Sequence, residues 1–182
     1  QMSEVGASQL ASLGSEQLQS IAPGAIAGLK TTQLSMLSTA VVVRLSSVQV
    51  AALGTEQVRG LTSAQLAALS GQIGAMESVD IAGLLTQQVS GLTTTVLKQL
   101  GSGQVMALGT AQVRSLTSGQ LVALTSEQVL ALEPVDVGAL SGLQLQRLGS
   151  WQIRLLSTEQ VRAMDGVSVG GMSVNFKELS SE

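Results

Sequence analysis

The sequence predicts an all-α chain: a solenoid of very short helices, one per eight residues. Three observations predict it. Leu or a close substitute recurs every eighth residue, from Leu13, Ile21 and Leu29 to Leu69, then after one seven-residue step from Met76 to Met164 and Met172. A second aliphatic stands three residues earlier, as in Leu18, Val58, Val113 and Val161. Between them lies a polar stretch in which Gln takes the same place in fifteen of the twenty-one octads from Leu10 to Val169. A fixed period over this length means an array of small units, each too small to bury its own apolar side.

One continuous helix does not fit the period. Eight residues advance about 800° at about 100° each, so the Leu row would drift by about 80° per octad and no partner could cover it. A strand fails too, because positions three apart fall on opposite faces of a strand and on one face of a helix. Helices that restart each octad do fit. Numbering the residue after each Leu as place 1, Thr or Ser in place 1 and Gln in place 4 form the capping-box pattern: Thr62 with Gln65, Thr117 with Gln120, Thr125 with Gln128, Ser157 with Gln160. The Gln row has a second reading, compatible with the first, in which each amide bonds to backbone groups of an adjacent coil. Pro23 and Pro134 follow the cap, at the first helical position where Pro is tolerated. Gly14, Gly54, Gly101, Gly109 and Gly149 follow the Leu, where a left-handed residue is expected to end the preceding helix. Isolated helices below about 12 residues are marginal, so a lone octad is expected to be unfolded. The aliphatic pair of places 5 and 8 is expected to face the axis and the polar places to face out.

A longer period lies over the octad. Gly54–Leu69 matches Gly109–Leu124 at an offset of 55, Val41 and Val96 both replace the Gln, and 77–84 matches 133–140 at an offset of 56. This reads either as duplication of a seven-octad block or as seven octads closing one superhelical turn. The array is expected to span residues 1–172, as part of a longer array, with an atypical cap or tail over 173–182.

Composition narrows the function. The 182 residues are 45% hydrophobic but only 1% aromatic, from Trp151 and Phe176, so the core must be filled by aliphatic side chains. Net charge is −3 with nine Lys and Arg, which argues against a nucleic-acid groove. With no Cys and no His, thiol and imidazole chemistry and the usual zinc ligand sets are excluded. No apolar run is long enough to span a bilayer. Glu77/Asp80 and Glu133/Asp136 supply two carboxylates each without an Asp/Asn/Gly-rich loop, so no metal site is assigned. Neither a catalytic group nor a cofactor is expected. Candidate contact residues are Arg59, Arg114, Arg154 and Arg162, read as a solvated outer row or a docking strip, and Trp151, read as a contact anchor or end packing.

Leu53-Gly-Thr-Glu-Gln-Val-Arg-Gly-Leu61 and Leu124-Thr-Ser-Glu-Gln-Val-Leu-Ala-Leu132 resemble the "LTTxQVxAL" octapeptide tracts of very large bacterial proteins labelled as adhesins, haem-utilisation or other cell-surface proteins. The resemblance runs to about Met172. It implies a secreted or surface-attached spacer or fibre whose partners are further copies or other surface proteins; the alternative is a protein- or ligand-binding scaffold without catalysis. It implies no ligand site. The opening of DNA-reading TAL-effector repeats is similar, but their longer period and basic spine are absent.

Overall fold

The computed structural model describes residues 6–164. The expected cap or tail at 173–182 lies outside the described residues, as do the first octad's Met2 and Val5.

Among the described residues nineteen helices of four to six residues follow one another: α1 (Ala7–Ala11), α2 (Ser15–Gln19), α3 (Pro23–Ala27), α4 (Thr31–Ser35), α5 (Thr39–Val42), α6 (Ser47–Ala51), α7 (Thr55–Gly60), α8 (Ser63–Ala68), α9 (Ser78–Ala82), α10 (Thr86–Ser90), α11 (Thr94–Gln99), α12 (Ser102–Met106), α13 (Thr110–Ser115), α14 (Ser118–Ala123), α15 (Ser126–Ala131), α16 (Pro134–Gly138), α17 (Gly142–Arg147), α18 (Ser150–Leu155) and α19 (Thr158–Ala163). The seven-residue step holds a 3-10 turn, Ile73–Ala75, in place of a helix. Each octad therefore restarts a helix, as the period predicts.

The caps form as expected. The Thr62 hydroxyl accepts from the Gln65 N–H at 3.2 Å, and Gln65 Oε1 accepts from the Thr62 N–H at 2.9 Å. Pro23 and Pro134 open α3 and α16. The glycines correct one expectation. Gly14, Gly54, Gly101, Gly109 and Gly149 are extended N-caps, with φ between −89° and −67°, and end no helix in the left-handed region. The junctions explain this. Only Leu61 and Thr62 separate α7 from α8, so the residue after the Leu must already serve as the next N-cap. An N-cap needs β-region angles, which any residue can adopt.

The coils wind tightly. Helices pack on those three units ahead: α4 on α7, α10 on α13, α12 on α15, α16 on α19. Glutamine side chains reach carbonyls 27 to 31 residues earlier. One superhelical turn is thus about 28 residues, three and a half octads. This corrects the reading of seven octads as a single turn: seven octads make two turns. Val41 and Val96 are both fully buried and lie on the same side of the superhelix, two turns apart.

The core is a thin aliphatic column. Places 5 and 8 are buried from Leu29 to Leu148, including Leu66, Leu97, Leu121 and Leu145 at 0–1% exposure. Leu13, Ile21, Leu155 and Leu156 in the first and last described coils are only partly buried, because each coil covers its neighbour. Small residues let the coils approach. A Cβ on Gly60 would run into Thr31, one on Gly83 into Thr55, and one on Gly138 into the Ala163 carbonyl.

Candidate functional site

The most repeated polar arrangement is a glutamine seam between coils, and it merges the two sequence readings. Eleven glutamines of the described residues do two jobs at once. Gln128 Oε1 accepts from the Thr125 N–H at 3.0 Å, while its Nε2 donates to Leu97 O at 2.7 Å and Leu100 O at 2.8 Å. Gln65, Gln120 and Gln160 repeat the pattern against Leu34 and Leu37, Val89 and Leu92, and Val129 and Leu132. The short helices leave spare acceptors at their C-terminal ends: the place-5 carbonyl takes one N–H, as Leu97 O does from Leu100 at 3.1 Å, and the place-8 carbonyl lies beyond the helix's own donors. The next coil's amide caps them. Where place 1 is Gly, as at Gly54 and Gly109, the cap hydroxyl is missing but Gln still binds the N–H at 3.0 and 2.8 Å. The amide outranks the hydroxyl because it alone joins two coils.

The units without Gln solve the same problem differently. Val41 cannot donate, and Arg44 does so instead: its Nη1 reaches Leu13 O at 2.8 Å, the carbonyl 28 residues before Val41. Val96 lies about one coil beyond Leu69. The shortened unit already occupies the Leu69 carbonyl with the N–H groups of Gln72 at 2.8 Å and Ile73 at 2.7 Å. That unit leaves a defect. Gln72 Nε2 still reaches Val43 O and Leu45 O, but its Oε1 is buried without a partner, because Gln72 precedes the 3-10 turn and no N-cap N–H faces it.

Asp80 and Asp136 stand in the Gln place and are 4% and 2% exposed. Each accepts a hydroxyl from the preceding coil: Thr55 Oγ1 to Asp80 and Thr110 Oγ1 to Asp136, both at 2.6 Å. The direction of bonding across the seam is thus reversed in these two units. Thr110→Val is expected to cost about 1.5–3 kcal/mol, the range for a hydrogen bond to a charged group, while Thr110→Ser stays near wild type; chemical denaturation measures both. Equal stability of the two variants would remove the hydroxyl from the account. Neither the Thr–Asp bonds nor the Arg44 substitution was found from sequence. The available signals were the recurrence of Thr and Asp within the 55/56 repeat and a basic residue three places after Val41.

The candidate contact residues all face outward, yet they do not converge. Arg59, Arg114, Arg154 and Arg162 occupy place 6 of α7, α13, α18 and α19 and are exposed. Arg59 and Arg114 are seven units apart and share one side; Arg154 and Arg162 lie on consecutive units further round. Arg59 meets Glu56 at 3.5 Å, an exposed pair of small energetic weight. Trp151, in place 3 of α18, is 46% exposed and lies against Gly149. Shallow clefts run between coils. One of about 330 Å³ is lined by Lys98, Leu100 and Ser102 on one coil and by Thr125, Ser126, Glu127 and Gln128 on the next. A second of about 300 Å³ repeats it with Arg59, Leu61, Thr62 and Ser63 opposite Leu85, Gln87 and Gln88. Place 6 of one coil therefore faces place 3 of the next. Among the described residues no helix is long and apolar enough to cross a membrane, and no three acidic, His or Cys side chains gather as a metal-holding group.

A family model, the ALTTAQ repeat, matches residues 26–63, 42–71, 73–110, 97–134 and 129–165 in tandem. Together these spans cover well over half of the chain. The chain belongs to the ALTTAQ repeat family. No curated protein and no solved structure matches it. The matches to the ALTTAQ repeat cover every residue from 26 to 165 except Gln72, the residue whose amide oxygen is orphaned in the shortened unit. In the ALTTAQ array each model match spans about one superhelical turn or slightly more, so the family unit is several octads rather than one.

Proposed function

We propose that this array is a structural spacer without catalysis, an extracellular or cell-surface segment that sets distance by adding coils. The seam carries the reading. Its most frequent polar side chain, Gln, is committed at both ends to backbone groups, one on its own helix and others on the coil before. Such a design rewards length: each added coil satisfies the carbonyls of the last and leaves the cross-section unchanged. The bacterial cell-surface setting rests on the resemblance of the octads to tracts in large surface proteins, and it is tested separately, by protease treatment of intact producing cells. Degradation of the protein is expected; full protection sinks the surface assignment.

The spacer role predicts additive length. Inserting a second copy of residues 77–132 after Leu132 adds seven octads, two turns by the seam register. Packed helices lie about 8–10 Å apart, so the particle is expected to lengthen by about 16–20 Å at constant cross-section in small-angle X-ray scattering. A rounder particle, or a thicker one, overturns the reading.

A further inference from the structure

The seam recognises backbone. Each bridging amide donates to main-chain carbonyls at places 5 and 8, which every octad carries: Gln120 to Val89 O and Leu92 O, Gln128 to Leu97 O and Leu100 O. Any octad can therefore stack on any other. The register counts units and not residues. Gln128 reaches back 28 residues to the place-8 carbonyl of the fourth unit before its own. Gln88, across the seven-residue step, reaches back 27 residues to Leu61 O, again the place-8 carbonyl of the fourth unit before. A turn of three and a half units thus survives the loss of a residue.

The outer residues follow a count of their own. Place 3 carries Val79, then polar or small residues through six octads, then Val135. The two valines are 60% and 61% exposed, so their surroundings match. Place 1 is acidic at Glu77 and Glu133 and at none of the six octads between. Each pair is seven octads apart, two turns, and lies on one side of the superhelix.

We propose that the array sets angle as well as distance. Each added octad turns everything after it by two sevenths of a turn, about 103°, as the rotation per repeat of a solenoid requires. Seven octads are the smallest addition that returns the outer rows to the side they left, because no smaller whole number of octads closes a whole number of turns. Copying a block of any length would repeat Val79 and Glu77; only a block of seven octads, or a multiple of it, repeats them on the same side. A change of one to six octads redirects the exposed rows, and a change of seven moves them along the axis alone. This rests on the spacer reading and adds direction to it.

The chain has no Cys, so Val79→Cys with Val135→Cys provides two sites for spin labels. One, two or three copies of residues 117–124 are inserted after Leu124. Asp136 then meets the hydroxyl of a Ser118 copy 26 residues before it, where Thr110 now stands, and the seam is kept. Pulsed electron spin resonance reads the separation of the labels. In the parent they are two turns apart on one side, about 16–20 Å at about 8–10 Å per turn. Two added octads carry the second label to the far side, across at least two helix widths or about 20 Å, so the separation is expected to rise by about 12 Å, where the axial step alone would add about 5 Å. A third octad brings the label most of the way round, and the separation is expected to fall by about 3 Å although the chain is longer. A steady increase of about 2–3 Å per octad overturns the proposal. Loss of the helical circular dichroism signal on adding one octad also overturns it, because a seam that binds backbone must accept any unit. The seven-octad insertion in scattering involves no net rotation, so it reads the spacer separately. If it lengthens the particle while the label series rises steadily, the angle fails and the spacer stands; if it does not lengthen the particle, both fail.

Discussion

Gln128→Ala is expected to destabilise the chain by about 3 kcal/mol or more, measured by chemical denaturation, whereas Gln9→Ala costs about 0.5–1 kcal/mol. The side chain at 128 is 1% exposed and satisfies three backbone groups, the Thr125 N–H and the carbonyls of Leu97 and Leu100. Ala removes all three bonds and admits little water; Leu97 O keeps the Leu100 N–H at 3.1 Å, so two groups, the Thr125 N–H and Leu100 O, are left unpaired at about 1–3 kcal/mol each. Gln9 is exposed, and its one side-chain bond among the described residues is the cap bond to the Gly6 N–H, at 2.8 Å, so its loss is that of a solvated cap. The contrast isolates the seam from the cap, since both variants lose the cap. Similar losses at both positions would show that the inter-coil bonds contribute nothing net.

Leu97→Ala is the second large effect, expected to cost about 3–4 kcal/mol, within the range of about 2–5 for such truncations. Leu97 is fully buried, with coils on both sides, beneath the coil that carries Gln128. The cavity cannot collapse easily, because the backbones on either side are tied by amide bonds. Leu143→Ala, at 75% exposure, is expected to lie within about 0.5 kcal/mol of wild type. Thermal or denaturant unfolding of the two variants measures the difference. A Leu97→Ala loss below about 1 kcal/mol would mean that the column is loosely packed.

Much of the unit was legible from residues alone. The restart of a helix each octad follows from Thr62 and Gln65, Pro23 and Pro134, and the three-residue spacing of the aliphatic pair, all of which act within one helix. The Gln row offered two readings, cap or inter-coil ladder, and the structure makes both with one side chain: the carboxamide oxygen serves the helix it belongs to, and the nitrogen serves the coil before. The glycines after Leu were misjudged because a glycine beside a helix end favours the left-handed C-cap by habit of longer helices. Here junctions as short as two residues leave only the N-cap role. The site residues were legible as exposed, but not as neighbours. Nothing in a window around Lys98 announces Glu127.

Sequence by itself determined the repeating helix, its start and its aliphatic stripe, because capping and amphipathic spacing are local and complete within eight residues; the polar Gln place, expected to face out, is instead buried at Gln49, Gln65, Gln120 and Gln128, because its amide bridges two coils. Tertiary structure alone decided the turn of about 28 residues, the meaning of the seven-octad period, the carbonyl that each Gln meets and the outer residues that line up. The physical reason is that the number of units per turn depends on how side-chain volumes and glycine contacts let coils close around the core. That quantity belongs to the packed stack, and no single octad contains it.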